Sequence, residues 1–101
     1  MNRDGAIAYA EKANQLAPNQ PPFMDTLALA LGEAKQYEKA IALQTKTIEL
    51  QPTNPAWKLT LAKLYIKSGN KAGARRELEP LAASATKSYS QAEAAMLLKS
   101  L

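Results

Sequence analysis

Residues of like size and chemistry recur along this chain every 34 positions. Ala6, Ala40 and Ala74 form one series. Pro18 pairs with Pro52, Pro21 with Pro55, Leu16 with Leu50, Phe23 with Trp57, Leu27 with Leu61, Ala28 with Ala62 and Leu31 with Tyr65. A repeat of this length is one supersecondary unit that cannot bury its apolar face alone, so units must stack into an array. Composition agrees with helices as the stacking element. Val is absent and Ile, Phe and Trp are few, which disfavours a sandwich or barrel. Ala is abundant; it is the best helix former and lets helix axes approach closely.

Each period reads as two helices. Residues near 22–35 place Leu27, Leu31 and Ala34 on one face, and residues near 37–50 do so with Tyr37, Ala40, Ile41 and Ile48. The next period repeats the pattern with Leu61, Leu64 and Tyr65, then Ala74, Leu78 and Leu81. Gln51-Pro52-Thr53-Asn54-Pro55 is a stop followed by a start: Pro52 ends one helix, Asn54 suits the N-cap and Pro55 the first turn of the next. Ala17-Pro18-Asn19-Gln20-Pro21 has the same design. Ser68-Gly69-Asn70 is a tight turn in which Gly69 takes positive φ; Lys35-Gln36 stands there in the preceding period and makes a less comfortable turn.

Met24, Leu27, Ala28, Leu31, Ala40, Thr47 and Pro52, followed by Leu61, Ala62, Tyr65, Gly69, Ala74 and Leu81, resemble the tetratricopeptide repeat, and Ala6, Ala13 and Pro18 fit the second half of a preceding repeat. The likeness covers roughly residues 3–83. It implies an all-α chain of about six antiparallel helices coiled as a right-handed solenoid, whose role is to bind another protein. The expected parts are the second helix of a truncated repeat (1–20), a repeat (21–54), a second repeat (55–86) and a terminal capping helix (87–101). Residues 3–17 lack a preceding first helix, as expected for a piece of a longer protein. Pro80 should kink or break the last repeat near 78–80. Ser90-Gln91-Ala92-Glu93 reads as a capping box opening a helix with Ala94, Leu97, Leu98 and Leu101 on its apolar stripe, which would close the solenoid at a natural C-terminus. The Asp25-Thr26-Leu27, Leu61–Tyr65, Ala74–Leu78 and Ala92–Leu98 stretches are also similar to bacterial repeat proteins of exopolysaccharide export and PEP-CTERM sorting. That likeness implies an envelope or periplasmic location, and without it a cytoplasmic one is equally open.

The chain has no Cys and no His, which removes thiol chemistry, the usual zinc and iron–sulfur sites and any imidazole base. No motif pairs its carboxylates and no Gly-rich loop cradles phosphate, so neither an enzyme nor a cofactor is expected. No apolar run approaches a bilayer span.

Two surfaces remain as candidates. By the register of the resemblance, Asp25, Leu29, Gly32 and Glu33 of one repeat and Leu59, Lys63, Ile66 and Lys67 of the next line the concave groove. That face is half apolar and split in sign, which would complement a peptide with an apolar anchor and opposed charges. The second surface is the acid-free stretch 55–76, with Lys58, Lys63, Lys67, Lys71, Arg75 and Arg76. It is either a solvated helix surface or a site for an anionic polymer. Nucleic acid is disfavoured because the only aromatics near this stretch, Trp57 and Tyr65, sit at repeat positions expected to pack inward, whereas base stacking needs exposed rings. Phe23 and Trp57, which share one register position, are expected to pack between adjacent repeats. A third possibility is a purely structural solenoid end. Finally, the helix at 3–17 should expose Ala6, Tyr9, Ala10 and Ala13, a face that invites homodimer contact.

Overall fold

The structure, a computed structural model, describes residues 3–16, 18–83 and 89–101. Among them are six helices: α1 (Arg3–Leu16), α2 (Pro21–Glu33), α3 (Tyr37–Leu50), α4 (Pro55–Ser68), α5 (Lys71–Ala82) and α6 (Tyr89–Ser100). The described residues form no strand. The architecture is the all-α helical repeat that the 34-residue period predicts.

The starts and stops follow local chemistry. Asn54 caps α4 by accepting from the Ala56 amide at 3.0 Å, ahead of Pro55 in the first turn. Gly69 ends α4 with φ +87°, its amide donating to the Ile66 carbonyl and that of Asn70 to Tyr65. The same turn recurs one period earlier. The amides of Lys35 and Gln36 donate to the carbonyls of Gly32 and Leu31, and Lys35, a residue with a Cβ, is held at φ +64°. Asn70 is also the cap of α5, accepting from the Gly73 amide at 2.9 Å.

Sequential helices pack against one another, and α2 also touches α4, as α4 touches α6. By contrast α1 makes no contact with α3, nor α3 with α5, among the described residues. The first helices of successive repeats are therefore drawn together while the second helices splay apart, so α2, α4 and α6 form the concave side. Gly32 permits this: a Cβ there would stand 2.6 Å from Leu64 Cδ2. One core cluster gathers Ile7, Ala10, Leu27, Ala28, Leu31, Ala40 and Leu64; a second gathers Leu59, Ala62, Ala74, Leu78, Leu81 and Ala94.

Three expectations are corrected. Helix α5 runs through Pro80 to Ala82, which overturns the break, though not the kink, expected near 78–80. Proline's φ is itself helical, and Leu78 and Leu81, buried on either side, hold the last turn in place. Helix α6 begins at Tyr89, so Ser90 lies inside it, and the Glu93 carboxylate meets Lys63 instead of its own helix start. Of the face expected to be exposed on α1, Tyr9 is 79% exposed, but Ala10 is buried at 3% beside Ile7; the Ala6 side chain lies outside the described residues.

Candidate functional site on the concave face

Helix α2 carries Asp25, Leu29, Gly32 and Glu33, and α4 carries Leu59, Lys63, Ile66 and Lys67. The structure separates these residues into three kinds. Leu59 is buried in the second core cluster, where α5 and α6 cover it, and offers no accessible anchor. Ile66 is half-buried against the same cluster. Leu29 is 39% exposed, a large aliphatic side chain open to solvent on α2.

The charged residues meet one another. Lys67 Nζ lies 2.8 Å from Glu33 Oε1, its counterpart one period earlier, and Lys63 Nζ lies 2.7 Å from Glu93 Oε2 on α6. The split in sign along the sequence thus resolves into ion pairs that tie α2 to α4 and α4 to α6. These side chains are largely solvated, between 23% and 60% exposed, so each pair contributes at most about 1 kcal/mol. Their larger effect is to neutralise the face. A partner need not bring opposed charges, because the charges are matched within the chain.

Asp25 is held differently. Its carboxylate accepts from Gln44 Nε2 at 2.9 Å and from the Thr60 hydroxyl. Burial raises its pKa above the ordinary value, and the bonds from Thr60 and Gln44 and the charge of Lys63 pull it back. Gln44 is fully buried and also donates to the Trp57 carbonyl at 2.9 Å. Sequence reasoning missed Gln44, Thr60 and Glu93. For Gln44 a signal existed: a glutamine occupies a position where helical spacing from Ala40, Ile41 and Ile48 calls for an apolar residue.

The basic stretch divides. Lys63 and Lys67 are in ion pairs on the concave side, while Lys71, Arg75 and Arg76 are exposed on α5. Trp57 is half-buried and its indole donates to Gln51 Oε1 at 2.9 Å. Phe23, its counterpart, is 43% exposed and lines a cleft of about 270 Å³ with Tyr9, Ala10, Ala13 and Thr26. No group of three or more acidic, His or Cys side chains that could hold a metal exists among the described residues. None of their helices is long and apolar enough to cross a membrane.

A family model described as tetratricopeptide repeat matches residues 31–101. The match takes in the terminal helix α6, which sequence reading set apart from the repeats. Comparison with curated proteins returned no match.

Proposed function

The chain belongs to the tetratricopeptide repeat family, and from that premise we propose that it is a non-enzymatic scaffold whose concave face, built by α2, α4 and α6, receives a segment of a partner protein. The observation that carries this reading is the combination of Leu29, exposed on that face, with charges already matched as Glu33–Lys67 and Lys63–Glu93. The partner segment is an extended peptide or a helix that supplies an apolar side chain to Leu29 and the exposed part of Ile66. Asp25, Glu33, Lys63 and Lys67 border the contact; Leu59 supports it from beneath.

Selection of peptides from a display library against the chain, followed by NMR shift mapping, tests the reading. Selected peptides should share an apolar anchor, perturb Leu29 and Ile66, lose binding in Leu29→Glu and bind with little dependence on salt. Peptides that are uniformly acidic, perturb Arg75 and Arg76 and fail steeply with salt would replace it with the anionic-polymer reading. The exposed side chains of Lys71, Arg75 and Arg76 favour that second reading, but Lys63 and Lys67 are drawn away from it. A selection that returns no binder would leave the chain as a structural solenoid end.

The finer assignment, to a bacterial exopolysaccharide-export or envelope assembly, is supported by the Asp25-Thr26-Leu27, Leu61–Tyr65, Ala74–Leu78 and Ala92–Leu98 strings alone. Co-purification of export components with the full-length protein, lost in Leu29→Glu, is its test.

A further inference from the structure

Asp25, Leu29 and Glu33 stand four apart on α2 and so form one stripe along it. Both ends of the stripe reach across to α4: the Asp25 carboxylate accepts from the Thr60 hydroxyl, and Glu33 meets Lys67 Nζ at 2.8 Å. Leu29 therefore lies between two bridges, on the side of α2 that looks into the groove. Lys63 takes the matching place on α4 one period later, but its ammonium turns away to Glu93 of α6 at 2.7 Å. Leu29 is left 39% exposed in the gap.

The charges around this gap do not cancel. Glu33 and Glu93 each take one lysine, Lys67 and Lys63. Asp25 has no cation in ion-pair range among the described residues, and the Lys63 charge acts on it only from a distance. Its hydrogen-bond partners, Gln44 and Thr60, are neutral donors. They fill two of the roughly four acceptor positions that a carboxylate offers. Burial holds its pKa above the ordinary value, as befits a charge short of a counter-charge. Gln44 and Thr60 are themselves buried, so they fix the carboxylate one turn of helix from Leu29.

Resting on the concave-face reading above, we propose that the partner segment carries a basic side chain beside its apolar anchor, the anchor seated on Leu29 and the lysine or arginine paired with Asp25. Asp25 and Leu29 lie about 6 Å apart along α2, at about 1.5 Å per residue. An extended partner covers that distance in two residues, at about 3.3 Å each. A helical partner covers it in three or four. The motif also has a direction. Glu33, the acid on the other side of Leu29, is already paired, so the basic residue lies toward the N-terminus of α2. An acidic residue in that place would meet Asp25 as a like charge. A single ion pair on a half-buried acid keeps the salt dependence shallow.

A random-peptide display library panned in parallel against the 101-residue chain and its Asp25→Asn variant tests this. Asp25→Asn keeps the shape of the side chain, and circular dichroism checks its fold. Peptides selected on the parent should carry Lys or Arg at those spacings from an apolar anchor. Peptides selected on the variant should keep the anchor without the basic residue. In fluorescence anisotropy, changing the basic residue to Gln should weaken binding to the parent about tenfold and binding to Asp25→Asn little. The change on the peptide reads the contact on the parent chain even where the variant does not fold. Apolar-anchored binders with no basic residue at those spacings, or with one whose change to Gln costs the same on both chains, would overturn this inference and leave the concave-face reading standing. A selection that returns no binder would overturn both.

Discussion

The side-chain amide of Gln44 on α3 donates to the carboxylate of Asp25 on α2 at 2.9 Å, and the same nitrogen reaches the Trp57 carbonyl of α4. One fully buried glutamine thereby links three successive helices. Asp25 completes the link by accepting from Thr60 of α4. The junction between repeats in this chain is polar at its centre, with apolar packing from Leu27, Leu31 and Leu64 around it.

Replacing Gln44 with Leu should therefore cost more than its size suggests. It removes a donor from a half-buried carboxylate, for a loss of about 1–3 kcal/mol. The Oε1 of Gln44 has no hydrogen-bond partner, which offsets part of that loss. Urea denaturation should show Gln44→Leu destabilising more in the parent chain than in Asp25→Ala, where only its bond to the Trp57 carbonyl is left to lose. Equal costs in the two backgrounds would mean that the bond carries no stability.

Asp25 should give stability an acid-side slope. Its pKa is raised from 3.8, chiefly by burial, so the folded chain holds this proton at pH values where the unfolded chain has lost it. Stability from this group is gained as pH falls through the raised value towards 3.8 and is lost as pH rises through the same window. Urea midpoints measured from below pH 3.8 to neutrality should show that falling component in the parent, and Asp25→Asn should remove it. An unchanged profile in the variant would assign the slope to other carboxylates.

The two turns at 35 and 69 form a natural pair. Both take positive φ, one with a lysine and one with a glycine. Left-handed backbone costs a residue with a Cβ about 1–2 kcal/mol, and glycine's extra freedom when unfolded returns about 0.5–1 of that. Lys35→Gly should thus raise stability by about 0.5–1 kcal/mol, and Gly69→Lys should lower it by a similar amount. Thermal melts of both variants check the signs, which must be opposite.

Gly32 should resist substitution for a reason outside its own helix. Alanine there gains about 1 kcal/mol of helix propensity but forces a methyl against Leu64, which is fully buried and cannot swing away. Overpacking of this kind costs about 1–3 kcal/mol, so Gly32→Ala should be a net loss of about 1. In a Leu64→Val background the loss should shrink or reverse.

Pro80 should be a weak point of α5. Its nitrogen has no hydrogen to offer the Arg76 carbonyl, and it is exposed, so no packing is lost when it is changed. Pro80→Ala should raise the stability of the chain by about 1–2 kcal/mol, after allowing for the more flexible unfolded state. A melting temperature that stays level or falls would show that the proline serves the turn after Ala82.

The parts legible in the sequence are those fixed by short-range chemistry or by periodicity. Leu27, Ala28, Leu31, Ala40, Ala62 and Ala74 were core by spacing and are core in the structure. Asn54 and Gly69 announced a cap and a left-handed turn because each needs only its own neighbours. The groove was legible only as a set of positions. Leu59 shares the register of its lining, yet it is buried, because burial depends on α5 and α6 closing over it. Ala10 was misplaced for the same reason: its covering partner is α2, not anything within α1.

By itself, then, the sequence determined the helices, their ends and the 34-residue stacking unit, since propensity, capping and periodicity act within a few turns of chain. Tertiary structure alone decided which charges are spent on the chain and which surfaces stay open. Lys63 reads as part of a basic run until α6 brings Glu93 within 2.7 Å of it, and Lys67 until α2 and α4 close around Gly32. Such pairings depend on distances between helix axes, set by the smallest residues at each crossing, and those distances are written in no single repeat.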